Sequence, residues 1–209
     1  MPQIITLSLG DYQTNCYIVS AKESKTCAVI DPGYNAAMIL DCLQALELTP
    51  DAILLTHGHF DHVGAVKELV KATGCALWIH EGDYSQPLNP TLSRFYPLAN
   101  SDFTEIQFCE EGQVITAGGL EFSVWSTPGH TWGSVCYACK DALFTGDTLF
   151  AGSCGRCDLF GGNLETMFVT LKRLAALEGD YRVYPGHGPD TTLSRERRTN
   201  PYVKHAVSL

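Results

Sequence analysis

Seven consecutive residues, Thr56-His57-Gly58-His59-Phe60-Asp61-His62, constrain this chain more than any other stretch. They follow an apolar run that reads as a strand and precede an amphipathic run that reads as a helix. In an extended turn, side chains two apart project to one side, so His57 and His59 share a direction. Asp61 and His62 open the next element and aim at a neighbouring point. One loop therefore offers ligands to two adjacent metal ions, and it has to stand where other strand ends can complete them.

Three further ligand-type residues occupy the same kind of position, each just past an expected strand. They are His130 in Thr127-Pro128-Gly129-His130, Asp147 in Thr145-Gly146-Asp147 and His187 in Tyr184-Pro185-Gly186-His187. In layered α/β proteins the strand ends gather functional groups from distant segments. Alone, a His after Gly is usually a loop residue and Thr-Gly-Asp a turn. Together, five of the seven histidines fall into one pattern, and imidazoles crowded this closely gain little from a hydrophobic core. His80 and His205 lack such company and read as ordinary surface or loop residues.

The expected strands cover residues 4–9, 15–20, 26–30, 52–56, 76–79, 120–126, 134–139, 142–145 and 182–185. Helices are expected over 36–46, 62–73 and 164–177, with a shorter one near Arg195. Strand-rich halves with interspersed helices predict two packed sheets covered by helices, an α/β sandwich in a single domain spanning residues 1–209. Residues 86–111, rich in Pro and aromatics, read as a long surface loop bordering the site.

Five imidazoles and two carboxylates without a thiolate suit zinc foremost, with iron or manganese also fitting, and argue against calcium or magnesium. Two such cations sharing a water generate hydroxide at neutral pH, able to attack a carbonyl or phosphorus centre. A net charge of -9 in 209 residues repels phosphate backbones, so nucleic acid is not an expected partner. No apolar run reaches the length of a membrane span. The start lacks a basic signal region, and the nine scattered cysteines suit free thiols, which points to the cytoplasm. Cys136 and Cys139 with Cys154 and Cys157 come near the spacing of a zinc ribbon. Cysteines three apart on a strand face opposite sides, which argues against one.

The block His57-Gly58-His59-Phe60-Asp61-His62 with the later His, Asp and His resembles the metallo-β-lactamase superfamily along nearly the whole chain. Ile30-Asp31-Pro32-Gly33, Phe144-Thr145-Gly146-Asp147-Thr148 and Cys154-Gly155-Arg156 resemble its glyoxalase II branch. The short end after Asn200-Pro201-Tyr202 is similar to bacterial-type forms. The resemblance implies a four-layer αββα sandwich. It implies a first metal held by His57, His59 and His130, a second by Asp61, His62 and His187, and Asp147 bridging them. Asp61 and Asp147 would act in catalysis, Asp31 would orient a ligand imidazole, and Arg156 would contact glutathione. The implied activity is hydrolysis of S-D-lactoylglutathione to D-lactate and glutathione by a metal-bridging hydroxide, a step in methylglyoxal detoxification. Two alternatives stand beside it: an iron-dependent persulfide dioxygenase, which shares a stretch like Gly155-Arg156-Cys157-Asp158, and a metal-binding module without turnover.

Overall fold

The computed structural model describes residues 2–84, 94–98, 103 and 106–209. The first sheet contains six strands, β1 (Gln3–Leu9), β2 (Thr14–Ser20), β3 (Thr26–Ile30), β4 (Thr49–Leu54), β5 (Ala76–His80) and β6 (Ile106–Cys109), side by side in that order. The second runs β14 (Thr191–Thr192), β13 (Arg182–Pro185), β10 (Ala142–Gly146), β9 (Val135–Cys139), β8 (Leu120–Ser126) and β7 (Val114–Ala117). A small hairpin pairs β11 (Leu149–Phe150) with β12 (Ser153–Cys154). The helices are α1 (Ala36–Ala45), α2 (Phe60–Val63), α3 (Val66–Thr73), α4 (Glu81–Tyr84), α5 (Leu164–Ala175), α6 (Leu193–Thr199) and α7 (Pro201–Ser208).

The period-2 alternation of the strands builds the layers. On β2, Cys16 and Ile18 face α1 and α3, packing with Ile39, Leu43, Val66 and Leu69. Tyr17 and Val19, one residue out of phase, face the second sheet and meet Phe122, Tyr137 and Phe144. On β9, Val135 and Tyr137 look inward, while Cys136 and Ala138 look outward to Met167, Leu171, Leu193 and Val203 of α5, α6 and α7. Three apolar layers thus separate helix, sheet, sheet and helix, the expected αββα sandwich. Burying one such Ile, Leu or Phe stabilises the fold by about 1.5–3 kcal/mol, so strands apolar on both faces commit the chain to being covered on both.

Chain direction then places the site. Strands β3, β4 and β5 run parallel, so their C-terminal ends share one edge. Strands β8 and β10 both run antiparallel to β9, and β13 runs parallel to β10, so these three also end together. The expected ligands follow β4, β8, β10 and β13.

Two local expectations need correction. The helix expected over residues 62–73 starts at Phe60 and is broken after Val63. Gly64 passes so close to the carbonyl of Gly33 that a Cβ there would overlap it. Within the expected loop 86–111, residues Ile106–Cys109 form β6, paired in parallel with β5. An edge strand in a Pro- and aromatic-rich stretch carries little alternation of its own, and β5 supplies its register. Much of the remaining stretch lies outside the described residues.

Candidate metal centre

All seven expected ligands meet at the shared edge. His57 and His59 leave the β4–α2 loop and His130 the β8–β9 loop, and each is buried to 4% exposure or less. Ring nitrogens of these three lie within 4.8 Å of one another, with His59 Nδ1 and His130 Nε2 only 2.8 Å apart. Beside them stand Asp61, His62 and His187: His187 Nε2 is 3.3 Å from Asp61 Oδ2 and 3.4 Å from His62 Nε2. Asp147, carried past β10, faces both groups. Its Oδ1 is 3.3 Å from His62 Nε2, and its Oδ2 is 3.5 Å from His130 Nε2 and 3.6 Å from His187 Nε2. A tetrahedral ion with bonds of 2.0–2.1 Å sets its ligands about 3.3–3.4 Å apart. The separations straddle that value.

The far sides of the rings fix which nitrogen is free. The Thr56 hydroxyl donates to Asp31 Oδ2 (2.6 Å), so its oxygen accepts from His57 Nδ1–H (3.0 Å) and leaves Nε2 bare. His62 Nδ1–H donates to Asp31 Oδ2, His130 Nδ1–H to the Arg156 carbonyl and His187 Nδ1–H to the Tyr12 carbonyl. Such outer partners set tautomer and ring orientation in metal sites. Among the described buried atoms, His57 Nε2, His59 Nε2 and Asp147 Oδ1 have no hydrogen-bond partner. An orphaned buried polar atom costs about 1–3 kcal/mol, which a bound cation relieves where the lone pair faces it. His59 turns Nδ1 rather than Nε2 toward His130, so the donor set and the orphaned His57 Nε2 and Asp147 Oδ1 are what fit divalent transition metals.

Asp31 also appears in a third cluster, with His57 and His62. Its Oδ2 is already occupied by Thr56 and His62, and its Oδ1 accepts the Thr56 amide at 2.8 Å. It is therefore an outer carboxylate behind His57 and His62. Its backbone adopts φ +49°, a left-handed conformation uncommon outside Gly, held by the surrounding structure at a functional position. Gly186 serves the site by lacking a side chain, because a Cβ there would overlap Asp147 Oδ1.

The two groups differ electrically. Burial pushes His57 well below the usual imidazole range, aided by the nearby His62 and His130. Burial, then His130 and His62, lowers His59 to about 3. For His62 burial acts the same way, yet Asp147 and Asp31 override it and raise the ring well above its usual value. Burial opposes but does not prevent a raised His187, because the Asp61 carboxylate accepts a hydrogen bond from its ring and Asp147 adds negative charge. Asp147 is held well below the carboxylate range, burial being outweighed by His62, His130 and His187. Thr14, whose hydroxyl lies 3.4 Å from Asp61 Oδ2, and the β1–β2 turn complete the wall.

Arg156 is exposed at the rim and forms a two-pronged ion pair with Asp158, Nε to Oδ1 at 2.7 Å and an Nη to Oδ2 at 2.8 Å. Sequence reasoning missed Asp83, which α4 presents just past β5. It is 1% exposed and accepts from Gly58 N, Gly133 N and Thr131 Oγ1, each at 2.8 Å. Its position past a strand end was the available signal, the same one that marked His130 and Asp147. The four cysteines of the considered ribbon do not converge: Cys139 lies between the sheets, whereas Cys136, Cys154 and Cys157 pack under the outer helices.

Residues 9–187 match the model of the Metallo-beta-lactamase superfamily. The chain belongs to that superfamily. This superfamily member is 35% identical over 199 residues to hydroxyacylglutathione hydrolase GloC of Haemophilus influenzae, covering 92% of this chain and 93% of that protein. Among solved structures it resembles BLEG-1 B3 metallo-beta-lactamase, with TM-score 0.84, 34% identity, and 96% and 99% of the two chains covered. It also resembles TTHA1623, solved in a di-iron-bound form, with TM-score 0.81, 39% identity and coverage of 95% and 99%. ETHE1 from Myxococcus xanthus superposes with TM-score 0.81 at 28% identity, covering 97% and 85%. Among the described residues, no helix is long and apolar enough to cross a membrane.

Proposed function

We propose that this chain is a binuclear metallohydrolase that cleaves a small-molecule thioester, S-D-lactoylglutathione foremost, to D-lactate and glutathione. One observation carries the reading: Asp147 lies within 3.6 Å of both donor groups, so one carboxylate spans a paired site. In this reading His57, His59 and His130 would hold one ion and Asp61, His62 and His187 the other, with Asp147 available to both. Two bound cations, whether zinc, iron or manganese, supply hydroxide near neutral pH and stabilise a developing oxyanion.

The chain's own residues do the rest. Asp31, Thr56, the Arg156 carbonyl and the Tyr12 carbonyl hold four of the five rings in the tautomer whose Nε2 is free to ligate. Asp61 and Asp147 are the catalytic carboxylates and put negative charge beside the reacting centre. A thiol with pKa near 8.5 leaves as thiolate and needs little help from a general acid. Beside Asp61 a cleft of about 260 Å³, lined by Leu9, Tyr12, Tyr34 and Phe60, offers an apolar seat for the acyl group. Arg156 would engage a glutathione carboxylate by exchanging it for Asp158. The likeness to GloC supports the substrate class. The test pairs metal content with turnover on S-D-lactoylglutathione, using a β-lactam as control. Two ions per chain with thioester cleavage support the reading, and a loaded protein inert toward thioesters refutes it.

A second reading is favoured by the ETHE1 likeness and by the Arg156–Asp158 pair: an iron-dependent persulfide dioxygenase. Oxygen uptake with glutathione persulfide, without thioester cleavage, would establish it instead.

A further inference from the structure

The carboxylate of Asp83 joins the two loops that bear the imidazole trio. Gly58, whose amide it accepts, stands between His57 and His59. Thr131, whose hydroxyl it accepts, follows His130, and Gly133 ends the same turn. Two of these donors are backbone amides that cannot reverse. Gly133 has to be a glycine because the carboxylate lies against it: a Cβ there would come within 2.6 Å of Asp83 N and 2.7 Å of its Oδ1. A buried carboxylate is tolerated only when hydrogen bonds hold its charge, so the contacts run both ways. They oppose the upward push that burial gives the Asp83 carboxyl, and they fix the two loops. Asp31 stands behind His62 directly and behind His57 through Thr56, whereas Asp83 ties together the two loops that carry the whole trio.

We propose that Asp83 is a positioning residue for the first cation, holding His57, His59 and His130 at the spacing an ion requires without itself being a ligand. The inference rests on the two-ion reading of the centre. Asp83→Asn keeps the shape but turns an NH₂ toward the amide of either Gly58 or Gly133, setting donor against donor. Zinc titration against a competing chelator should show the first ion bound about 10–100-fold more weakly, the usual cost of losing an outer partner, with the second within about twofold. Asp31→Asn, whose carboxylate stands behind His62 and, through Thr56, behind His57, should by contrast weaken both ions. The visible spectrum of cobalt in the first site should change in the Asp83 variant even when that site is saturated. Thr131→Val removes one donor, keeps the shape and should weaken the first ion by up to about tenfold; it decides the matter should Asp83→Asn fail to fold. Wild-type affinity for both ions, or equal weakening of both, overturns the proposal. Wild-type protein that takes up fewer than two ions overturns the two-ion reading, and this inference with it.

Discussion

The imidazole trio and the carboxylate-rich group share Asp147 as a wall, yet their surroundings bias His57 and His59 one way and His62 and His187 the other. His57 and His59 are driven toward neutrality by burial, so these two rings already present bare nitrogens. His62 and His187 are drawn toward protonation by Asp31, Asp61 and Asp147, so protons occupy the place a cation would take. The trio is also more enclosed: the His130 side chain is 3% exposed, against 15% for Asp61 and 26% for His187. The difference teaches that one pocket is preorganised while the other exchanges protons for metal. Filling the first should be governed by geometry and filling the second by pH.

The strongest attack on this contrast is Asp147→Ala, which removes the shared wall. Both ions should be weakened and thioester turnover should fall by about a thousandfold or more, because several kcal/mol of metal-assisted stabilisation go with them. Metal per chain measured beside kcat checks it, and retention of two tight ions would show that Asp147 does not bridge. Next in size, Asp61→Ala or His62→Ala should bring metal content from two ions to one and abolish thioester hydrolysis. A variant with full turnover would refute the two-metal mechanism.

Proton exchange sharpens the contrast further. The second ion displaces protons from His62 and His187, so its affinity should fall by about tenfold per pH unit for each proton displaced, starting above the ordinary imidazole value near 6.5. The first ion meets His57 and His59 already neutral, so its affinity should fall less steeply over the same range. Chelator titrations at pH 8 and pH 6 compare the two directly; equal slopes would erase the distinction. Stability of the metal-free protein follows the same signs. His62 and His187, raised on folding, contribute fully below about 6.5, and their contribution is lost as pH rises through their folded values. His57 and His59, lowered on folding, cost stability as pH falls below about 6.5, where the unfolded chain takes up protons that the folded chain refuses. The Tm of the metal-free protein should therefore decline on both sides of neutrality, and metal should flatten the alkaline side.

The smallest expected effect lies at the rim. Arg156→Ala should raise KM for a glutathione thioester by about fivefold or less, since an exposed charge pair contributes at most about 1 kcal/mol. Asp158→Asn, which frees the guanidinium, should lower KM slightly. Steady-state kinetics decide, and an unchanged KM in both variants would remove Arg156 from substrate binding.

Legibility in the sequence followed range of interaction. The block from His57 to His62 announced itself because its ligands are local, and His130, Asp147 and His187 did so through position past apolar strands. Asp31 was legible as a candidate but not distinguishable from a turn residue until His62 was seen to donate to it. Asp83 offered only its place past a strand end and no ligand motif in Glu81-Gly82-Asp83, because its meaning lies in Gly58 and Gly133, 25 and 50 residues away. Strand β6 was missed for a similar reason, its register being supplied by β5.

By itself the sequence determined the ligand inventory, the alternation that forces two sheets between helices, and the strand ends where chemistry would gather. Those properties depend on neighbours a few residues apart, and covalent geometry fixes such neighbours. Only the tertiary structure decided which nitrogens face one another, which carboxylates stand behind them and which imidazoles carry protons. Desolvation and Coulomb interaction act over a few ångströms of space, and folding alone brings segments as far apart as His62 and His187 within that range.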